Sequence, residues 1–182
     1  MAILKAARLG HPIIRTRARV LTRAEITSSE VQRLIEDMIE TMREYDGVGL
    51  AAPQIHVPKQ IAVIEVNHNP RYPKMPAVPL VVLINPTIVK RSKKLVEDWE
   101  GCLSIPDLRG MVPRSESVEC EALDRGGKTI KIAADGFFAR VIQHECDHLQ
   151  GMVYLDRMSK LRSLTHLAEF TRYGIGDQTR YD

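Results

Sequence analysis

The sequence predicts an α+β fold, mainly antiparallel strands packed around a central helix that carries an H-E-x-x-H motif. Three features lead there. Residues 30–45 and 136–150 place apolar side chains at helical spacing. Residues 117–123 and 129–133 alternate apolar and polar across Asp124-Arg125-Gly126-Gly127, the pattern of a hairpin. The strand-like runs follow one another without the regular β-α alternation of a doubly wound sheet.

Taken in order, residues 1–24 hold six basic side chains (Lys5, Arg8, Arg15, Arg17, Arg19 and Arg23) and no acid. That bias is a cue for an organellar leader. The stretch has no Ser, however, and Pro12 interrupts any amphipathic helix, so it reads as part of the mature domain. In residues 30–45, Val31, Leu34, Ile35, Met38, Ile39 and Met42 form one apolar stripe, which is a core-packing helix. Ser29 with Gln32 supplies a capping-box start and Gly47 a stop. Residues 61–66 and 80–84 read as buried strands, and residues 67–79, rich in Pro and Asn, as a loop. Cys120 falls in the alternating apolar set of the hairpin and reads as a small core residue. The helix over 136–150 has Asp135 as its N-cap and Gly151 as its stop. Residues 152–155 read as a short strand and 159–170 as a third helix. One domain over 1–170 and a loose tail over 171–182 complete the chain.

Composition narrows the function. The chain has 182 residues, 44% hydrophobic and 27% charged, which suits a single soluble domain with a core. The net charge is only +3 and aromatics are 5%, without the clustered basic face of a specific nucleic-acid binder. The longest apolar stretch, residues 77–84, is broken by Pro79 and falls far short of the ~20 residues of a membrane helix. Three Cys, an odd number, argue against a disulfide framework and for a reducing compartment.

The chemistry centres on His144-Glu145-Cys146-Asp147-His148. His side chains at i and i+4 lie one turn apart on one helix face, so both imidazoles can reach one ion. Glu145 is offset around the helix, too far round to be a third ligand but near enough to handle a metal-bound water. A catalytic site needs a third protein ligand and an open position. The metzincin third His would fall at 154, which is Tyr. A Glu about twenty residues on, as in gluzincins, would be Glu169. Cys146 points away from the two His, and Cys120 reads as core. Cys102, in Glu100-Gly101-Cys102-Leu103-Ser104-Ile105-Pro106, could complete a Cys-His-His set. On spacing alone Cys102 and Glu169 both remain open.

Three segments together resemble one family. Residues 47–54 (GVGLAAPQ), 100–104 (EGCLS) and 143–151 (QHECDHLQG) closely resemble, in order and spacing, the three signature motifs of peptide deformylases. Gly10-His11-Pro12 with Arg15 is similar to the family's N-terminal segment, so the resemblance runs over residues 3–165 and makes residues 1–170 a catalytic deformylase domain. It implies removal of the formyl group from the N-terminal methionine of newly made proteins, with release of formate. It implies Cys102, His144 and His148 as metal ligands and Glu145 as general base and acid. Gln54 and the backbone N–H of Leu103 would hold the oxyanion. Val48, Gly49, Glu100, Arg109, Phe137 and Arg140 would border the substrate. One divalent metal per chain is implied, natively Fe(II), with Zn, Ni and Co able to bind. The partners implied are N-formylmethionyl nascent peptides and a transient ribosome contact, with no membrane and no specific nucleic acid, in a bacterial-like cytoplasm; an organellar origin stays open. Arg140, four residues before His144 on the ligand face, departs from the apolar residue of many bacterial members. With the longer 67–79 loop it resembles the mitochondrial-type branch. Arg140 is expected either to contact substrate or to pack its stem while its head reaches solvent.

The implied roles fit elementary chemistry. An amide carbonyl is a poor electrophile and water a poor nucleophile. A divalent metal lowers the pKa of bound water to roughly 7, so hydroxide is available to attack the formyl carbon. Donors fixed where the oxyanion forms stabilise the transition state over the ground state.

Overall fold

The computed structural model describes residues 2–67 and 75–173. Its elements in chain order are α1 (Arg23–Ile26), α2 (Ser29–Glu44), β1 (Gly49–Ala51), β2 (Ile61–Val66), β3 (Val78–Arg91), β4 (Leu95–Cys102), β5 (Ile105–Ser115), β6 (Ser117–Leu123), β7 (Thr129–Asp135), α3 (Gly136–Leu149), β8 (Thr165–His166) and α4 (Leu167–Arg172), with short 3-10 turns between some of them. Two antiparallel sheets result: five strands in the order β1-β2-β3-β6-β7, and three in the order β4-β5-β8. The α+β expectation, with α3 at the centre, holds.

The five-stranded sheet is covered by helices on both faces, and its strands explain why. In β2, Ile61 and Val63 pack with α2, while Ala62 and Ile64 pack with α3. In β3, Ile84 joins the α2 side and Leu83 the α3 side. A strand buried on both faces must be apolar at every position, which is why Ile61 to Ile64 is a continuous apolar run. The α2 side buries Val31, Ile35, Met38, Ile39 and Met42, the stripe expected from spacing. The α3 side collects Ala51, Val118, Ala139 and Ile142, with Cys120 buried among them. A third cluster, with Ile14, Cys102, Val112 and Tyr154, lies under the β4–β5 hairpin.

Several local expectations need correction. The α2 cap is Ser28, whose Oγ accepts from the Val31 N–H; Gln32 instead donates to the Ile26 and Arg125 carbonyls. The capping box belongs to α1, through Thr22 and Glu25. Asp46, not Gly47, takes the left-handed conformation after α2 (φ 50°), and the Gly47 N–H then closes onto the Met42 carbonyl. Asp135 sits at the α3 N-cap position but makes no side-chain cap bond. Gly151 does end α3 as expected, at φ 74° with its N–H on the His148 carbonyl. An added Cβ there would lie 2.6 Å from the Arg15 carbonyl oxygen. The β3 strand begins at Val78, so Val78 and Pro79 are strand and not loop. Residues 67 and 75–77 are not strand, as expected for the loop, and residues 68–74 lie outside the described residues. Residues 152–155 are not a strand; a 3-10 turn, Tyr154–Arg157, stands there. The long third helix is absent too: residues 159–170 break into a 3-10 turn, β8 and the start of α4. Thr171 and Arg172 belong to α4, and the remainder of the expected tail, from 174 on, lies outside the described residues. Among the described residues no helix is long and apolar enough to cross a membrane.

Candidate active site

Three chain segments meet at one cleft. Helix α3 brings His144, Glu145 and His148. The β4–β5 hairpin brings Cys102, the last residue of β4, which pairs with Ile105 across a two-residue turn of Leu103 and Ser104. Strand β1, an edge of the five-stranded sheet, and the 3-10 turn Ala52–Ile55 bring Gly49 and Gln54. A cavity is lined from β1 and its approach by Val48, Gly49 and Gln54, from the hairpin by Trp99, Glu100, Cys102 and Leu103, and from α3 by Phe137, Arg140, Val141, His144 and Glu145. Apolar wall from Val48, Leu103, Phe137 and Val141 faces the polar groups of Gln54, Glu100, Arg140, His144 and Glu145.

The sulfur of Cys102 lies 3.2 Å from His148 Nε2, which lies 3.1 Å from His144 Nε2. The donor atoms of Cys102, His144 and His148 all fall within 4.8 Å of one another. A thiolate and two imidazole nitrogens so close suit a transition-metal ion, whose bonds to such donors are about 2.0–2.3 Å long. Among the described residues no fourth Cys, His, Asp or Glu joins this group. Glu169, the spacing alternative, stands half-buried on α4 with Arg172 3.3 Å away and is not part of it. Cys146 packs instead toward the cluster that holds Cys120.

Glu145 is buried, 3% exposed, and its Oε2 has no hydrogen-bond partner among the described residues. Burial raises its pKa to about 7, against the opposing pull of the two His. A buried acceptor of this kind is costly unless something fills the gap beside it. It fits the donor cluster it adjoins: a base beside three ligands, with one side open to a cavity, is the layout of a catalytic rather than a closed structural site. Gly49 is required here by close approach, because an added Cβ would lie 2.3 Å from Glu145 Oε1. The Gln54 amide nitrogen lies 3.4 Å from Cys102 Sγ and 3.3 Å from Ser104 Oγ, and its carbonyl oxygen accepts from the Ala51 N–H at 2.9 Å, which fixes the amide orientation. Burial alone would raise the Cys102 thiol; the neighbouring imidazoles overcome that and hold its pKa well below the ordinary value.

A buried ionic network lies behind these groups. Glu100, 4% exposed, receives Arg114 on both oxygens (2.9 and 3.0 Å), Arg140 on Oε1 (2.8 Å) and His144 Nδ1 on Oε2 (2.9 Å). Despite its burial, which opposes ionisation, these partners hold its carboxyl far below the ordinary range. Both oxygens are therefore engaged by protein partners, with His144 held through Oε2. Arg114 also binds Asp147, which receives Arg157 as well. Gln143 closes the base of α3 onto β5, exchanging hydrogen bonds with the Ser115 backbone. The Tyr154 ring stacks on His144 at 6.5 Å.

Two expected placements change. Arg140 borders the cavity, but its head does not reach solvent: it is 6% exposed, and its guanidinium donates to Glu100 and to the Val96 and Val112 carbonyls. Arg109 is buried with its guanidinium against Gly101, where a Cβ would meet Nη1 at 1.7 Å, and it is not among the cavity-lining residues. The sequence reading missed Arg114, Asp147, Arg157 and Gln143. Two of the four, Gln143 and Asp147, lie inside the 143–151 motif, but the partners named above for all four are 10–33 residues away and leave no local pattern.

Removing Arg114 leaves two buried carboxylates short of their main cation. Arg114→Met is expected to lower the unfolding free energy by about 3 kcal/mol, the scale for breaking a buried ion pair from one side. Denaturant unfolding monitored by circular dichroism measures it.

The geometry defines a candidate metallohydrolase, and its relatives agree. The family model for polypeptide deformylase matches residues 3–163. A peptide deformylase of Nitrosomonas europaea is 44% identical over 155 residues, covering 85% of this chain and 87% of that protein. One from Ralstonia nicotianae is 49% identical over 146 residues, covering 80% of this chain and 77% of that protein. The structure of a class I type b peptide deformylase from Acinetobacter baumannii with Met-Ala-Ser bound is similar at a TM-score of 0.84 and 38% identity, covering 86% of this chain and 99% of that one. The chain belongs to the polypeptide deformylase family, hydrolases that remove the N-formyl group from nascent peptides.

Proposed function

We propose that this chain binds one divalent metal through Cys102, His144 and His148 and uses Glu145 to hydrolyse the formyl group of N-formylmethionyl peptides. The observation that carries this reading is the buried Glu145 carboxylate, with an unpartnered Oε2, beside the Cys-His-His donor cluster at a cavity wall. When bound, the ion supplies Lewis acidity that makes water acidic enough to lose a proton near neutral pH. Glu145 Oε2 takes that proton and returns it to the departing amine nitrogen. Gln54 Nε2 and the Leu103 backbone N–H donate to the oxygen of the former formyl carbonyl as it becomes an oxyanion. A neutral amide suits this position, because a carboxylate would repel the developing charge. The edge strand at Gly49 lies open to the cavity, so an extended peptide backbone can run beside it. Val48 and Phe137 supply apolar wall for the methionine side chain. Met-Ala-Ser bound to the Acinetobacter baumannii relative supports methionine as the first residue.

Fe(II) is the proposed native ion, with Zn, Ni and Co as alternatives; one soft thiolate and two imidazoles accept all four. The bacterial relatives favour a cytoplasmic enzyme that meets its substrate as it leaves the ribosome. The test is formate release from formyl-Met-Ala-Ser under anaerobic conditions, beside acetyl-Met-Ala-Ser and an unblocked longer peptide. Release from the formyl substrate, with the other two left intact, is the expected result. Cleavage of internal peptide bonds would overturn it in favour of an endopeptidase.

A further inference from the structure

Arg140 is the site residue that the proposed reaction leaves without a task. It stands one helical turn before His144 on α3. Its guanidinium donates to Glu100 Oε1 at 2.8 Å, to the Val112 carbonyl at 2.9 Å and to the Val96 carbonyl at 2.6 Å. All three acceptors belong to the β4–β5 hairpin, whose turn begins at Cys102. Arg114 links the same hairpin to α3 at Asp147, next to His148. The helix is therefore fastened to the hairpin around both imidazoles: by Arg140 one turn before the first, by Gln143 onto the Ser115 backbone, and by Arg114 at the residue before the second.

Glu100 joins this fastening to the site. A carboxylate only accepts, so His144 Nδ1 must donate to Glu100 Oε2, and the lone pair then resides on Nε2, the atom that faces His148 Nε2. The position of the Glu100 carboxylate therefore bears on the orientation of the His144 ring. Supporting partners of this kind set ligand orientation, and losing one typically costs about 10–100-fold in metal affinity or activity.

We propose that Arg140 is a positioning residue: it locks the Cys102-bearing hairpin onto the His-bearing helix and, by holding Glu100, sets the orientation of His144 toward Cys102 and His148. The inference rests on the metal-binding reading above. The planar guanidinium is suited to the task because one rigid fork reaches a carboxylate and two carbonyls on neighbouring strands. A lysine can keep the charge on Glu100 but reaches fewer of these acceptors. An apolar residue leaves both carbonyls and one Glu100 oxygen short of a donor.

The experiment is a titration of the purified chain with Co(II) alone, against a competing chelator, with the visible spectrum recorded on the same samples. It compares wild type, R140M, R140K, E100Q and the double variant R140M/E100Q, each with its thermal unfolding. Roughly tenfold weaker Co(II) binding is expected for R140M, the lower end of the range for a supporting partner, with a smaller loss in R140K. The ligand-field bands of Co(II) should shift in R140M, which a role confined to stability would not produce. Because the orienting part of Arg140's role passes through Glu100, the double variant should lose less Co(II) affinity than the product of the two single losses. Wild-type affinity and spectrum in R140M, or losses that multiply in the double variant, would overturn the inference while leaving the metal site standing. A wild-type chain that binds no Co(II) would overturn the metal reading and this inference together. Should R140M fail to fold, the R140K–E100Q cycle decides by the same criterion.

Discussion

Glu145→Ala should lower kcat for formate release by about 10²–10⁴-fold, the span for loss of a positioned general base, while leaving the metal bound. Glu145 is not one of the three clustered donors, so its loss does not open the metal site. Its environment makes it a base suited to neutral pH, since burial lifts its pKa to about 7. The effect should fall on kcat more than on KM, because proton transfer belongs to the transition state and not to peptide binding. Steady-state kinetics with metal content measured on the same sample check both parts. A variant that loses its metal together with its activity would show instead that Glu145 is a ligand.

Cys102→Ala should abolish both metal binding and activity. Cys102 is one of only three clustered donors, and losing a ligand should exceed the about 10–100-fold cost of losing a mere supporting partner. Folding should survive: the change removes one sulfur from a small buried side chain in the cluster under the hairpin. Glu169→Ala is the matched control. Glu169 lies outside the donor cluster and forms an ion pair with its near neighbour Arg172, so its loss should change neither property. Equilibrium binding of Zn or Co to both variants separates the two third-ligand candidates that spacing alone leaves open.

The parts of this site that were legible in the sequence are those written in short range. The pair His144 and His148 follows from one helical turn, the α2 stripe from helical spacing, and the β6–β7 hairpin from alternation across Asp124 to Gly127. The β4–β5 hairpin was not legible because its pattern is inverted. Leu95 and Val96 are exposed while Glu100 and Arg114 are buried, so hydrophobic alternation points the wrong way. Pairing between strands, the buried ionic network and the apolar cluster beneath the hairpin together specify it. The buried head of Arg140 was not legible for the same reason: a long cationic side chain is expected to snorkel, and nothing local announces that a carboxylate and two carbonyls await it. The stretch from 159 to 170 failed differently. Its residues suit a helix by propensity, yet none of them is buried, and without a face to pack, propensity alone does not hold a long helix.

The most direct test of the central claim is one sample measured three ways: moles of metal per chain, moles of formate released from formyl-Met-Ala-Ser, and moles of new free amine. The account predicts equal formate and amine, at a rate that rises in proportion to metal up to one ion per chain and falls away with a chelator. Folded chain carrying one ion at Cys102, His144 and His148 that releases neither product, or activity indifferent to metal content, would contradict it.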